Sequence, residues 1–131
     1  MANSFDAELD GTERTILVVD DDTTIREALS DVLNILGYQV VVASDGQCAL
    51  ELLRNGCDPF VILLDLAMPR MDGYQFCKEL RTEGGFNGPQ VVVITATPNQ
   101  RADALGVTEV LAKPVSLERL LKVLENAAQG T

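Results

Sequence analysis

Val61-Ile62-Leu63-Leu64-Asp65-Leu66-Ala67-Met68-Pro69-Arg70-Met71-Asp72-Gly73 is the stretch that decides the fold. Its first part is a short, unbroken apolar run. Such a run reads as a strand buried on both faces, as in the interior of a parallel sheet. The run stops at a single carboxylate, Asp65. Pro69 and Gly73 then break the strand and set up a turn into a helix. An acid at the end of a buried strand is either exposed at the sheet's edge or costly. Open α/β sheets bind ligands in the crevice outside the carboxyl ends of their strands, so Asp65 is the first candidate functional residue.

The flanking sequence repeats this grammar. Thr15-Ile16-Leu17-Val18-Val19 is a second buried strand, and it runs into Asp20-Asp21-Asp22. Thr23 or Thr24 can cap the helix that follows, and Asp22 is left as a surface or cap residue. Ile25, Ala28, Leu29, Val32, Leu33 and Leu36 recur there at helical spacing, and Gly37 is a natural stop. Residues 39–43 form the next strand. Ser44-Asp45-Gly46 turns it into a helix carrying Ala49, Leu52 and Leu53, which ends at Gly56. Asp72 is placed to cap a third helix with Phe76, Cys77 and Leu80 inward. Residues 84–89 are a loop, 90–95 a fourth apolar strand, 99–105 a short weak helix and 109–112 a weak fifth strand. Ser116 caps a last amphipathic helix with Leu117, Leu120, Leu121 and Leu124. Strand and helix thus alternate throughout, which implies an α/β fold: a doubly wound parallel sheet with helices on both faces. Residues 1–14 are polar and aperiodic and read as a flexible tail, 15–127 as one domain, and 128–131 as a short C-terminal tail.

Composition narrows the function. At 131 residues with 47 % hydrophobic content, the chain can build one core and is not of disordered type. A formal net charge of −10 repels phosphate backbones, so a nucleic-acid partner is not expected. No apolar run has the length of a membrane span, and no signal peptide opens the chain, so no membrane partner is expected either. Cys48, Cys57 and Cys77 lack metal-ligand spacing and are odd in number, as suits reduced thiols in a cytoplasmic protein. The chain has no histidine, which removes imidazole catalysis and imidazole metal ligation together.

Four of the five strands finish alike. Val19 runs into Asp20, Leu64 into Asp65, Ile94 into Thr95 and Ala112 into Lys113; only the second stops at Ser44-Asp45. With the second strand at an edge, the other four endings share one rim. That rim would hold the carboxylates of Asp20, Asp21 and Asp65, the Thr95 hydroxyl and the Lys113 ammonium. Carboxylates this close do not all ionise cheaply without a cation. A hard divalent ion with oxygen ligands, Mg²⁺ above all, resolves the conflict and would neutralise an incoming phosphoryl group. Asp65 is then the nucleophile that accepts it, with Lys113 and Thr95 on its remaining oxygens.

From residue 15 to about residue 127 the chain resembles the response-regulator receiver domains of two-component signalling, the CheY-like family. The residues that carry the resemblance are Ile16-Leu17-Val18-Val19-Asp20-Asp21-Asp22, the Leu64-to-Gly73 run, Thr95-Ala96 and Lys113-Pro114. It implies a flavodoxin-like five-stranded sheet of order 2-1-3-4-5. It implies that Asp65 is phosphorylated by a sensor histidine kinase or a histidine phosphotransfer protein. Asp21 and Asp65 would ligate Mg²⁺ directly, Asp20 through water, and the Ala67 backbone carbonyl would complete the set. Lys113 would pair with the phosphoryl group, ahead of a cis bond to Pro114, and Thr95 would move toward it. The protein would be no enzyme beyond catalysing its own phosphorylation and dephosphorylation, and an unidentified downstream protein would read its changed surface.

The sequence departs from the family pattern at Val110, where an aromatic residue usually stands, and at Val115, usually Phe. Val110 keeps a second reading in play, a receiver-shaped interaction module that no longer depends on phosphate. A phosphatase with an aspartyl nucleophile commonly needs a second acid two residues on, and here that residue is Ala67. A flavin site fares worse, because acids at the end of the first strand would repel a bare phosphate. No output segment follows residue 127, which leaves open a stand-alone regulator or one domain of a larger chain.

Overall fold

A computed structural model describes residues 14–66, 73–83, 89–96, 107 and 109–129. Five strands and four helices lie among them: β1 (Thr15–Val19), α1 (Thr23–Ile35), β2 (Gln39–Ala43), α2 (Gly46–Arg54), β3 (Val61–Asp65), α3 (Gly73–Glu83), β4 (Gln90–Thr95), β5 (Glu109–Ala112) and α4 (Leu117–Gln129). All pairings are parallel, in the order β2-β1-β3-β4-β5. The expected fold class and strand order are both present. The expected helix over 99–105 and the Asp72 cap lie outside the described residues.

The apolar runs are unbroken because both sheet faces are covered. Leu17, Val19, Ile62, Leu64 and Val93 point to one face and pack with Ala49, Leu50 and Leu53 of α2 and Phe76, Cys77 and Leu80 of α3. Ile16, Val18, Val61, Leu63, Val92 and Ile94 point to the other and pack with Leu33 of α1 and Leu120, Leu124 and Ala127 of α4. Neighbours in sequence alternate between the two cores, as the pleat requires. Each fully buried Leu or Ile contributes about 1.5–3 kcal/mol, so the sheet is held from both sides. No helix among the described residues is long and apolar enough to cross a membrane.

The helix starts hold two lessons. Asp22 caps α1, not Thr23 or Thr24: its carboxylate accepts from the Thr24 and Ile25 amides at 2.9 and 3.3 Å. Asp22 is the last extended residue, and both threonines are already helical. Asp45 caps α2 by accepting from the Cys48 amide at 2.9 Å, and Ser116 caps α4 by accepting from the Arg119 amide at 3.4 Å. Gly37 and Gly56 end α1 and α2 with φ of 100° and 107°, the left-handed region where a side chain would be strained.

The packed region is slightly wider than 15–127. α4 continues to Gln129, and Arg14 Nη1 donates to the Ala128 carbonyl at 3.2 Å. Arg14 also lies over the Phe60 ring, 5.1 Å from its centroid. A cation at the C-terminal end of a helix meets the negative pole of its dipole, which favours this contact.

Candidate functional site

Sheet register assembles the site. Val19 is level with Leu64, so Asp20 comes out beside Asp65. Asp65 is level with Ile94, so Thr95 follows one step beyond it. Thr95 is level with Ala112, so Lys113 follows in turn. The Lys113 amide donates to the Thr95 carbonyl at 2.8 Å and fixes that last step. A slip of one residue in any pair would send these side chains to the wrong face.

The geometry is compact. Lys113 Nζ donates to Asp20 Oδ2 at 3.1 Å and lies 3.5 Å from Asp65 Oδ1. Asp20, Asp21 and Asp65 each offer a carboxylate oxygen within 4.8 Å of the others. Asp20 is 3 % exposed and Asp65 5 %, while Asp21 faces solvent. Asp65 is therefore buried and paired, not the freely exposed strand end that was one of the two options. Burial pulls the Lys113 ammonium down, but its hydrogen bond to Asp20 and the charges of Asp20 and Asp65 outweigh this and leave it raised. Lys113 thus stays charged at neutral pH. The Lys113–Pro114 peptide bond is cis, as expected.

Five predicted residues, Asp20, Asp21, Asp65, Thr95 and Lys113, are on this rim. Thr95 is buried at the end of β4. Ala67, the sixth, lies outside the described residues, as do Met68, Pro69, Arg70, Met71 and Asp72. The donor set suits a hard cation: three carboxylate oxygens lie close together, two of the acids share the Lys113 ammonium, and the third, Asp21, is exposed. A single lysine cannot neutralise three carboxylates.

Two neighbours of the site were not singled out from the sequence. Gly73 was read as a strand breaker. It is the first residue of α3, its amide donates to the Leu66 carbonyl at 2.9 Å, and a Cβ there would lie 2.7 Å from Leu66 Cα and 2.8 Å from the Asp65 carbonyl oxygen. The helix can approach β3 this closely only at glycine. Arg26 stands outside the sequence motifs. Its Nη1 donates to the Asp20 backbone carbonyl at 2.7 Å. The available signal was a cation near a helix N-terminus, where the dipole disfavours it.

This rim, on this strand order, defines a class of protein: a doubly wound α/β domain with an acidic, cation-suited site at the carboxyl ends of its strands. Residues 16–125 match the response regulator receiver domain family, and the chain belongs to it. It therefore serves phosphorylation-dependent signalling of the two-component type. It is 42 % identical over 110 residues to response regulator MprA of Mycobacterium sp. (strain KMS), a match covering 81 % of this chain and 46 % of that one. The chain thus spans about half the length of the curated relatives it matches. Among solved structures, Vibrio cholerae chemotaxis protein CheY4 superposes with a TM-score of 0.80 at 33 % identity, covering 88 % of this chain and 98 % of the other. Response regulator protein TrrA of Thermotoga maritima, solved in complex with Mg²⁺–BeF, superposes with a TM-score of 0.77 at 28 % identity, covering 87 % and 98 %.

Proposed function

We propose that Asp65 accepts a phosphoryl group from a sensor histidine kinase or histidine phosphotransfer protein, and that Mg²⁺ is the cation of the site. The observation that carries this reading is Lys113 Nζ bridging Asp20 and Asp65 at 3.1 and 3.5 Å, with Asp21 beside them. An Asp65 carboxylate oxygen attacks phosphorus, the new O–P bond forms as the donor's N–P bond breaks, and the imidazole leaves with the electron pair. The donor histidine must come from another chain, because this one has none. Asp20, Asp21 and Asp65 would hold Mg²⁺ with their carboxylates, and the family resemblance would add the Ala67 carbonyl. Bound there, the ion supplies neutralising charge to the transferred group. Lys113 exchanges a carboxylate contact for a phosphoryl oxygen, and the Thr95 hydroxyl takes another. The domain performs no chemistry on other molecules in this reading. Its three free cysteines fit a reducing compartment, the cytoplasm. Its charge of −10 makes this domain itself a poor nucleic-acid binder.

Incubation with Mg²⁺ and acetyl phosphate should add one phosphoryl mass to the protein and none to Asp65→Asn. No addition, or equal addition to both, would overturn the proposal. Val110 favours a second reading, since it is aliphatic and packs half-buried against the α2–α3 core. In that reading the domain is a phosphate-independent interaction module, and Asp65→Asn leaves partner binding intact.

A further inference from the structure

Asp20 is held at every polar atom. Its amide donates to the Ala43 carbonyl of β2 at 3.2 Å, its Oδ1 accepts from the Asp22 amide at 2.9 Å, and its Oδ2 accepts from Lys113 at 3.1 Å. The fourth atom, the carbonyl oxygen, accepts from Arg26 Nη1 at 2.7 Å. The same guanidinium donates through Nη2 to Thr23 Oγ1 at 3.2 Å. One planar fork therefore ties the first turn of α1 to the loop between β1 and α1.

The carbonyl that Arg26 grips belongs to the peptide unit joining Asp20 to Asp21. That unit is rigid and planar, so holding its oxygen fixes the plane from which Asp21 departs. Asp21 is exposed, yet its carboxylate is one of the three in the cluster. We infer that Arg26 is a positioning residue for the cation site: it orients Asp21 through the Asp20 carbonyl and touches neither the cation nor the phosphoryl group. The inference rests on the proposed Mg²⁺ role.

The sign of the effect separates this role from a plain charge effect. Arg26 is a cation beside an anionic pocket. If it acted only through its field, replacing it with a neutral residue would tighten Mg²⁺ binding. As a positioning residue, it should weaken binding when replaced, since partners that orient metal ligands typically cost about 10–100-fold in affinity when removed.

Arg26→Met keeps the apolar stem and removes the fork. Calorimetric Mg²⁺ titration of the full chain should show affinity weaker by about 10-fold, the low end for such partners. Arg26→Lys, which reaches one acceptor at a time, should recover part of the loss. Thr23→Val, which frees one arm of the fork, should show a smaller loss. In the metal-free protein, amide hydrogen exchange at Asp21 should quicken in Arg26→Met, with the urea midpoint little changed. Affinity equal to or tighter than wild type in Arg26→Met overturns the inference. So does a loss of affinity matched by global unfolding with wild-type affinity in both Arg26→Lys and Thr23→Val. Wild-type protein that shows no saturable Mg²⁺ binding brings down the metal reading itself, an outcome distinct from failure of the clamp alone.

Discussion

At the carboxyl ends of the strands the chain buries Asp20, Asp45, Asp65 and Thr95, the buried polar and charged side chains among the described residues. At the amino ends it does the reverse. Tyr38 stacks on Phe60 with ring centroids 5.7 Å apart, Arg14 lies over the same ring, and Gln90 Nε2 and Arg14 Nη1 donate to the Ala127 and Ala128 carbonyls. One rim gathers like charges and keeps one ammonium among them. The other satisfies the last turn of α4 and seals the strand starts with aromatic surface. Domains are stable by only about 5–15 kcal/mol, so a rim of crowded acids is tolerable where the opposite rim is consolidated. The costly rim is the one that needs a cation and a phosphoryl group to become comfortable.

Removing the cation should hurt most. Lys113→Met leaves Asp20 and Asp65 buried without their shared partner. Breaking a buried pair costs about 3–5 kcal/mol, and Lys113 is partly open to water, 21 % by side chain. We expect a loss of about 2–3 kcal/mol in urea unfolding, with phosphoryl acceptance from acetyl phosphate sharply reduced. Added Mg²⁺ should return part of the stability. An unchanged urea midpoint would show that the acids are not held by Lys113.

Gly73→Ala comes next and strikes the same rim from behind. The new Cβ meets backbone at Leu66 and Asp65, which cannot swing aside. Overpacking of this kind costs about 1–3 kcal/mol, and the displaced Asp65 should accept phosphate more slowly. A variant with wild-type stability and labelling rate would mean that α3 retreats without strain.

The strands and their endings could be read from sequence because burial on both faces leaves an unbroken apolar run, and each run stops at a polar residue. That pattern carried β1, β2, β4 and β5 to their observed bounds and put Asp20, Asp65, Thr95 and Lys113 on one rim. The strand order was not readable this way; it came with the family resemblance. Two features left no local mark. Arg14 reaches a carbonyl 114 residues away. Gly73 matters for what lies behind it, which no residue pattern records. Asp22 was legible as one of two roles, surface or cap, and it takes the cap ahead of Thr23 and Thr24 because the chain is already helical at Thr23.

The consolidating rim should yield a smaller effect without touching the chemistry. Arg14→Ala removes a cation–π contact worth about 0.5–1 kcal/mol and a hydrogen bond of about 1 kcal/mol, for a combined loss of roughly 1–2 kcal/mol. Exchange of the amides over 125–129 should quicken, while the rate of acetyl phosphate labelling should match wild type. A slowed labelling rate would mean that the two rims are coupled through the sheet.

The last effect vanishes at neutral pH, is confined to the alkaline range and lies in the core between them. Burial pushes the Cys77 thiol up from 9.0 to about 11, with the Arg81 charge opposing weakly. The folded protein then keeps a proton that the unfolded chain has already lost. Stability from this group is complete below pH 9.0 and drains away as pH rises toward about 11. Tyr38 and Cys57 are also raised, by burial first, and Lys113 is raised by its acids against its own burial. All act in the same direction, so the wild-type alkaline limb is a composite. Cys77→Ala should flatten its portion between pH 9 and 11 and leave the rest. Iodoacetamide should label Cys77 after Cys48 and Cys57, which are less buried. An alkaline slope identical in wild type and Cys77→Ala would assign the whole limb to the groups near the two rims and none of it to the core.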